Sequence, residues 1–358
     1  MIALHANGRV LPSGEVRDVF IVDGRFTFAP QADARTINSG GYLVPGLVDA
    51  HAHLTLSSPD SGAEPRAAAR ASARAHLHAG VLVVREPGGP DHASQGIGPA
   101  EDLPRVQTGG RFLAPFGGYF PGLPREIAVE DLPAAALEEA RASSAWAKAI
   151  GDFPDEDGRL APNFPQAILT EAVRAVHAAG ARFAMHCVGE EAIERAIEAG
   201  VDTIEHATML TSDHIHEMKR RSLALTPTMC IAPLIAGAFD GIVTTDEMSR
   251  LEGALERQPA RVREAHEAGV RILAGTDAGM TPHGTVRREL ALLLGAGLPA
   301  DAVLAAGSWD GRRFLGYPGI EEGAPADLVA YRDDPRDPEV LARPALIVLD
   351  GREVSLRR

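Results

Sequence analysis

Apolar positions in the middle of the chain follow two alternating rhythms. Segments with one apolar face at helical spacing, such as Ile168, Ala172, Val173 and Val176, end in a glycine. Short runs that are almost continuously apolar follow at once. Four such junctions are His78-Ala-Gly80 before VLVVRE, Ala178-Ala-Gly180 before ARFAMH, Glu198-Ala-Gly200 before VDTIEH, and Glu267-Ala-Gly269 before VRILAGTD. Glycine just past a helix takes the left-handed cap. Runs that are apolar throughout are strands covered on both faces. Helices alternating with such strands predict βαβ units around a parallel sheet.

Each of these strands ends in a residue capable of chemistry: Arg85-Glu86, His186, His206 and Asp277. In a (β/α)8 barrel the active site is built at the C-terminal ends of the strands. The pattern therefore predicts an α/β fold, a (β/α)8 TIM barrel over residues 46–318. Residues 1–45 and 319–358 read differently, with short β runs and the turn pairs Ser13-Gly14, Asp23-Gly24 and Asp350-Gly351. They predict a small composite β-sandwich domain made from both termini. The Pro- and Gly-rich stretch PFGGYFPGLP, residues 115–124, is expected as a loop over the barrel mouth.

Composition narrows the function. With 45% apolar and 23% charged residues, the 358-residue chain is globular rather than disordered or fibrous. Its net charge of −14 argues against a nucleic-acid partner. Two cysteines do not make a disulfide framework. Neither a leader-like N-terminus nor a membrane-length apolar run is present, so a cytoplasmic enzyme of small molecules is expected, with no membrane partner. A homo-oligomer remains open, because the terminal sheet offers a flank. Lysine is rare: Lys148 and Lys219 stand among 35 basic residues.

Residues His51 and His53, in PGLVDAHAH, are two apart on a strand and so point to one side, where both imidazoles can serve one metal. A full strand–helix period separates His186 from His206, which predicts equivalent positions on adjacent strands. Asp277, in GTDAG, is a further metal ligand or a general base. Lys148 ends the β-compatible run 145–150 in a chain that otherwise writes Arg. A buried lysine can lose its proton, and the neutral amine can take up CO2 to give a carbamate, an anionic oxygen donor able to bridge two metals.

The segments PGLVDAHAHL, AGVLVVREPGG, WAKAIGDF, MHCVGEEAIERAIEAGVDTIEH, PTM, AGTDAG and GAPADLVAYRDDP, in this order, resemble the amidohydrolase superfamily in its two-metal, carboxylated-lysine form. The similarity is greatest to its imidazolonepropionase- and prolidase-like branch. It implies that His51, His53, Lys148 and Asp277 hold the more buried of two divalent ions, with zinc the first expectation. Lys148, His186 and His206 would hold the more exposed one. It also implies hydrolysis of an amide-type C–N bond in a dipeptide, an N-acyl amino acid or a cyclic amide. A metal-bridging hydroxide would attack, with Asp277 as general base and then acid. Lactone or phosphotriester hydrolysis on the same site, or a mononuclear deaminase, are the alternatives. Against the deaminase stands His186-Cys-Val-Gly-Glu190, where the carboxylate follows four residues after the histidine rather than three.

Remaining expectations concern the surroundings. Arg85 and Glu86 are expected to form a salt bridge under the site, and Cys187 to point into the barrel–helix layer. Cys230 is expected to pack, while Tyr119 and His283 are candidate substrate contacts on loops after strands. His76, His78, His177, His214, His216 and His266 are expected on helix surfaces. Glu138-Glu139 and Glu190-Glu191 should lie on solvated helix faces.

Overall fold

A computed structural model describes residues 3–56 and 64–356. The chain opens with β1 (Leu4–Val10), β2 (Glu15–Val22), β3 (Arg25–Thr27) and β4 (Arg35–Pro45). Next come β5 (Leu47–Asp49), helix α1 (Pro65–His78), β6 (Val81–Glu86), β7 (Arg105–Thr108), β8 (Leu113–Pro115), β9 (Arg125–Ile127), α2 (Leu132–Ala142) and β10 (Trp146–Ile150). A small hairpin, β11 (Asp152–Pro154) and β12 (Leu160–Pro162), precedes α3 (Gln166–Ala178) and β13 (Arg182–Cys187). The units continue with α4 (Glu190–Ala199), β14 (Thr203–His206), α5 (Ser212–Arg221), β15 (Ala224–Thr226), α6 (Ala232–Phe239), α7 (Thr245–Glu267) and β16 (Arg271–Ile272). Helices α8 (Val286–Gly295), α9 (Ala300–Ala306) and α10 (Trp309–Phe314) then lead to β17 (Leu328–Tyr331), β18 (Leu346–Leu349) and β19 (Arg352–Glu353).

The four glycines expected to end helices, Gly80, Gly180, Gly200 and Gly269, all have φ between 74° and 82°, the conformation that only glycine adopts without strain. Each is followed by a strand of the parallel sheets. One sheet runs β16-β15-β14-β13-β10-β8-β9 and the other β5-β6-β7, and every neighbouring pair in both is parallel. Strands β7 and β8 are successive parts of one segment: β7 pairs with β6, and β8 pairs with β10. At the other edge, the Ala50 amide donates to Ala274 O (2.8 Å), and Ala52 bridges Ala278. This succession of parallel strands and helices is TIM-barrel-like, and it brings the C-terminal ends of the strands to one side.

Both termini contribute to a third sheet, ordered β19-β18-β17-β4-β1-β2-β3. Hydrogen bonding is continuous through all seven strands. Its free edge curls back, with Phe26 N donating to Ala324 O (2.9 Å) and Ala326 N to Gly24 O (2.8 Å). Ala6, Val19, Ile21, Phe26, Leu328 and Val348 fill the inside of the curl. Asp23-Gly24 and Asp350-Gly351 form turns in which both residues have positive φ, the geometry that suits right-twisted hairpins.

Buried Asp327 ties this sheet to the helices and parallel strands. Its carboxylate accepts from Arg105 Nε (2.9 Å), Arg312 Nη2 (3.0 Å) and the Asp350 amide (2.9 Å). Burial works to raise its pKa, but Arg105 and Arg312 hold it below the usual carboxylate value. The folded state thus binds fewer protons here than the unfolded chain, so this stabilisation is present above the unfolded pKa and fades as pH falls through it. Asp327→Ala leaves buried Arg312 without its carboxylate and Arg105 with Asp350 alone. At pH 7 it is expected to cost about 3–5 kcal/mol in urea unfolding. The gap to the parent protein should narrow below about pH 4, and an equal gap at both pH values would show that charge is not the cause.

Candidate active site

The segments after β5 and β16, the middle of β10 and the ends of β13 and β14 carry the six residues singled out in the sequence. All six line one pocket: His51, His53, Lys148, His186, His206 and Asp277. They gather at one side of the strands for a simple reason. A parallel sheet with capped helices returns each strand in the same direction, so the residue that ends each strand faces a common volume.

His51 Nε2 and His53 Nε2 are 3.2 Å apart, and Asp277 Oδ1 lies 3.3 Å and 3.1 Å from them. One donor atom from each of these residues falls within 4.8 Å of the others, a grouping that could hold a metal ion. Four-coordinate zinc, with ligand bonds of about 2.0–2.2 Å, spaces its donors about 3.3 Å apart. Asp277 Oδ1 is also buried without a hydrogen-bond partner among the described residues, as is His186 Nε2. Buried polar atoms are normally paired. Two orphans aimed at one pocket, beside two neighbouring imidazole nitrogens, therefore fit a bound cation.

Each of three histidines is anchored through its other nitrogen. His51 Nδ1 is 2.6 Å from Glu205 Oε2, His53 Nδ1 2.5 Å from Gly88 O, and His206 Nδ1 2.7 Å from Thr228 Oγ1. Donation from Nδ1 leaves Nε2 as the free lone pair facing the pocket, which is how metal-binding imidazoles are usually held. The rings of His186 and His206 are 4.6 Å apart, and those of His51 and His206 5.1 Å. Burial pushes the His206 pKa down to about 3 and that of His186 well below its usual value, keeping both neutral. For Asp277 burial acts upward, but the adjacent His51 and His53 hold the carboxylate well below the usual range.

Lys148 is 2% exposed. Burial, with Arg85 adding to it and Glu205 opposing, moves its pKa down to about 8. A usable fraction of its amine is then neutral near pH 7. The backbone is strained where the site is assembled: His206, Ala207, Thr228 and Asp277 have φ of 67°, 46°, 45° and 51°. Positive φ at non-glycine residues is uncommon and concentrates at functional sites.

Glu205 is the main residue that the sequence pattern did not single out. Fully buried, it accepts from Arg85 Nη2 (2.7 Å) as well as facing His51. Burial alone would raise its pKa, but Arg85 and His51 hold it well below normal. A glutamate directly before the strand-end His206 was the available signal. Asp152 is another, receiving the amides of Val188 and Gly189 and so shaping the turn after β13.

Several expectations are corrected. Arg85 does not bridge Glu86, because adjacent strand residues face opposite sides. Arg85 turns inward to Glu205 and to Ala50 O (2.6 Å), whereas Glu86 accepts from Ser94 and from Thr55 N (3.2 Å). His76 is fully buried rather than on a surface: its Nε2 lies 3.2 Å from His283 Nδ1, and Asp49 lies near its other side. His283 is thereby turned into that pair and is absent from the pocket lining, whereas Tyr119 lines it with its ring 5.5 Å from that of His186. Glu139 is 1% exposed, held by Arg111, Arg125 and His92. Cys187 packs toward Ala192 O of α4, and Cys230 lies buried with Sγ 2.9 Å from Thr276 O.

Comparison with known proteins gives a consistent picture. The model of the Amidohydrolase family matches residues 42–354. An uncharacterized protein of Mycobacterium tuberculosis is 39% identical over 356 residues, spanning 98% of this chain and 95% of that protein. A crystal structure of a Xaa-Pro dipeptidase with methionine bound in its active site has a TM-score of 0.81 at 22% identity, covering 99% of both chains. The Aspergillus niger ochratoxinase structure has a TM-score of 0.80 at 18% identity, covering 98% of this chain and 95% of that one. At these identities the two structures are similar to this chain in fold. Among the described residues, no helix is long and apolar enough to cross a membrane.

Proposed function

The chain belongs to the amidohydrolase family, and on that premise we propose that it hydrolyses an amide-type C–N bond with divalent ions held by His51, His53, Lys148, His186, His206 and Asp277. The carrying observation is the convergence of these six side chains on one pocket, with Asp277 Oδ1 and His186 Nε2 buried and unpaired. In this reading residues 46–318 form a closed (β/α)8 barrel that carries the site. Residues 1–45 and 319–358 form the flanking β domain.

His51, His53 and Asp277, with a carboxylated Lys148, would hold one ion; the same carbamate with His186 and His206 would hold the other. Bound there, the ions would supply an acidified water and polarise the substrate carbonyl, with zinc suited to the nitrogen and carboxylate donors. Asp277 receives the proton of the attacking water and returns it to the leaving nitrogen, which departs poorly as an anion. Glu205 keeps the His51 ring oriented by accepting from Nδ1, and Arg85 keeps Glu205 ionised.

The experiment is elemental analysis of protein purified without chelator from cells supplied with zinc and bicarbonate. Close to two metal ions per chain is expected. Close to one would favour a mononuclear hydrolase or a deaminase, and none in a folded sample would overturn the reading.

A further inference from the structure

We infer that the substrate is a neutral amide carrying a bulky aromatic or branched apolar group, rather than a dipeptide or an N-acyl amino acid with a free carboxylate. This rests on the hydrolytic reading above, and it comes from what surrounds the six polar residues.

Among the described residues, the pocket lining apart from those six and Tyr119 is apolar throughout. One wall is a continuous aromatic stack. Tyr119 packs on Phe112 (5.9 Å) and Phe120 (5.1 Å), and Phe120 packs on Phe239 of α6 (6.3 Å). Ile150, Ile231 and Ile235 extend this surface. At the rim, Leu234 is 43% and Met280 52% exposed, so apolar contact begins at the mouth. The pocket is open to solvent at this rim, so a bulky group can extend outward past Leu234 and Met280.

A free carboxylate would need a cation in this wall, and the described residues offer none beyond Lys148. Arg111 and Arg125 are bound to Glu139 on α2 and do not line the pocket. Residues 57–63, outside the described ones, contain no Lys, Arg or His. A carboxylate entering such a wall gives up its hydration without gaining a partner. A flat or branched apolar group gains contact everywhere. Among the described lining residues, Tyr119 supplies the one hydroxyl that can bond a neutral polar atom.

The test compares N-benzoyl-2-phenylethylamine with N-benzoyl-phenylalanine, which differ only by the carboxylate. Binding is read by calorimetry on the protein as purified, and turnover separately. The neutral amide is expected to bind at least about 30-fold more tightly, since an unpaired buried charge is strongly disfavoured. Tighter binding of the carboxylate, or no binding of either, would overturn the inference. Tight binding of the neutral amide without turnover of either compound would support the pocket assignment while counting against the hydrolytic reading. Leu234→Arg, at a half-exposed position that tolerates a long side chain, adds the missing cation at the rim. It should shift the binding ratio at least about tenfold toward the carboxylate. An unchanged ratio in the folded variant would also overturn the inference, because a merely structural role for Leu234 predicts no such shift.

Discussion

Asp277→Asn is expected to lower kcat by about 10³-fold or more, while the protein keeps its fold and at least one metal ion. The magnitude is that of a positioned proton-transfer group, about 10²–10⁴-fold. Asn is isosteric and keeps an oxygen toward His51 and His53, which lie 3.3 Å and 3.1 Å from Asp277 Oδ1. What it loses is the ability to take a proton. Nothing else described in the pocket replaces it: Glu205 is committed to Arg85 and His51, and Asp152 to the Val188 and Gly189 amides. Elemental analysis beside turnover separates the two roles. Near-normal turnover would remove Asp277 from proton transfer, and loss of all metal with activity would leave it as a ligand only.

Lys148→Ala should be as damaging by a different route. Removing the donor expected to join both ions should lose metal and activity together, with activity below about 1% of the parent, in line with the loss of a group shared by both metals. Short carboxylic acids such as acetate or propionate fit the space left by the side chain and offer the same anionic oxygens. Partial recovery of metal and activity is expected with either. Lys148→Arg should not recover, because a guanidinium keeps its proton even where burial brings the lysine down to about 8. Full activity in the alanine variant would sink the carbamate, and loss of activity with metal retained would make Lys148 a positioning group instead.

The surroundings of the site show why charge partners were harder to read than the residues that line the pocket. Arg85 and Glu86 are neighbours in sequence, yet Arg85 finds Glu205, 120 residues further on, across the strands. His76 looked like a solvated helix position, but α1 packs that face against the strands and leaves it wholly buried beside His283. Glu139 is likewise drawn in by two arginines from the segment before α2. In each case the helical or strand assignment held and the side-chain environment did not, because periodicity says which residues share a face and not what that face meets.

By itself, the sequence determined the alternation of capped helices and buried strands, and with it the side on which His51, His53, Lys148, His186, His206 and Asp277 meet. That follows from local rules: a left-handed glycine follows α1, α3, α4 and α7, a strand begins within a few residues of it, and parallel strands share a direction. Only the tertiary structure decided the pairs made across strands and the apolar wall built by the 115–124 loop and α6. Those depend on register between segments far apart in the chain, as where Cys187 pairs with His206. They also depend on left-handed backbone at His206 and Asp277, which lifts their side chains out of strict alternation and which a pattern of apolar and polar letters does not encode.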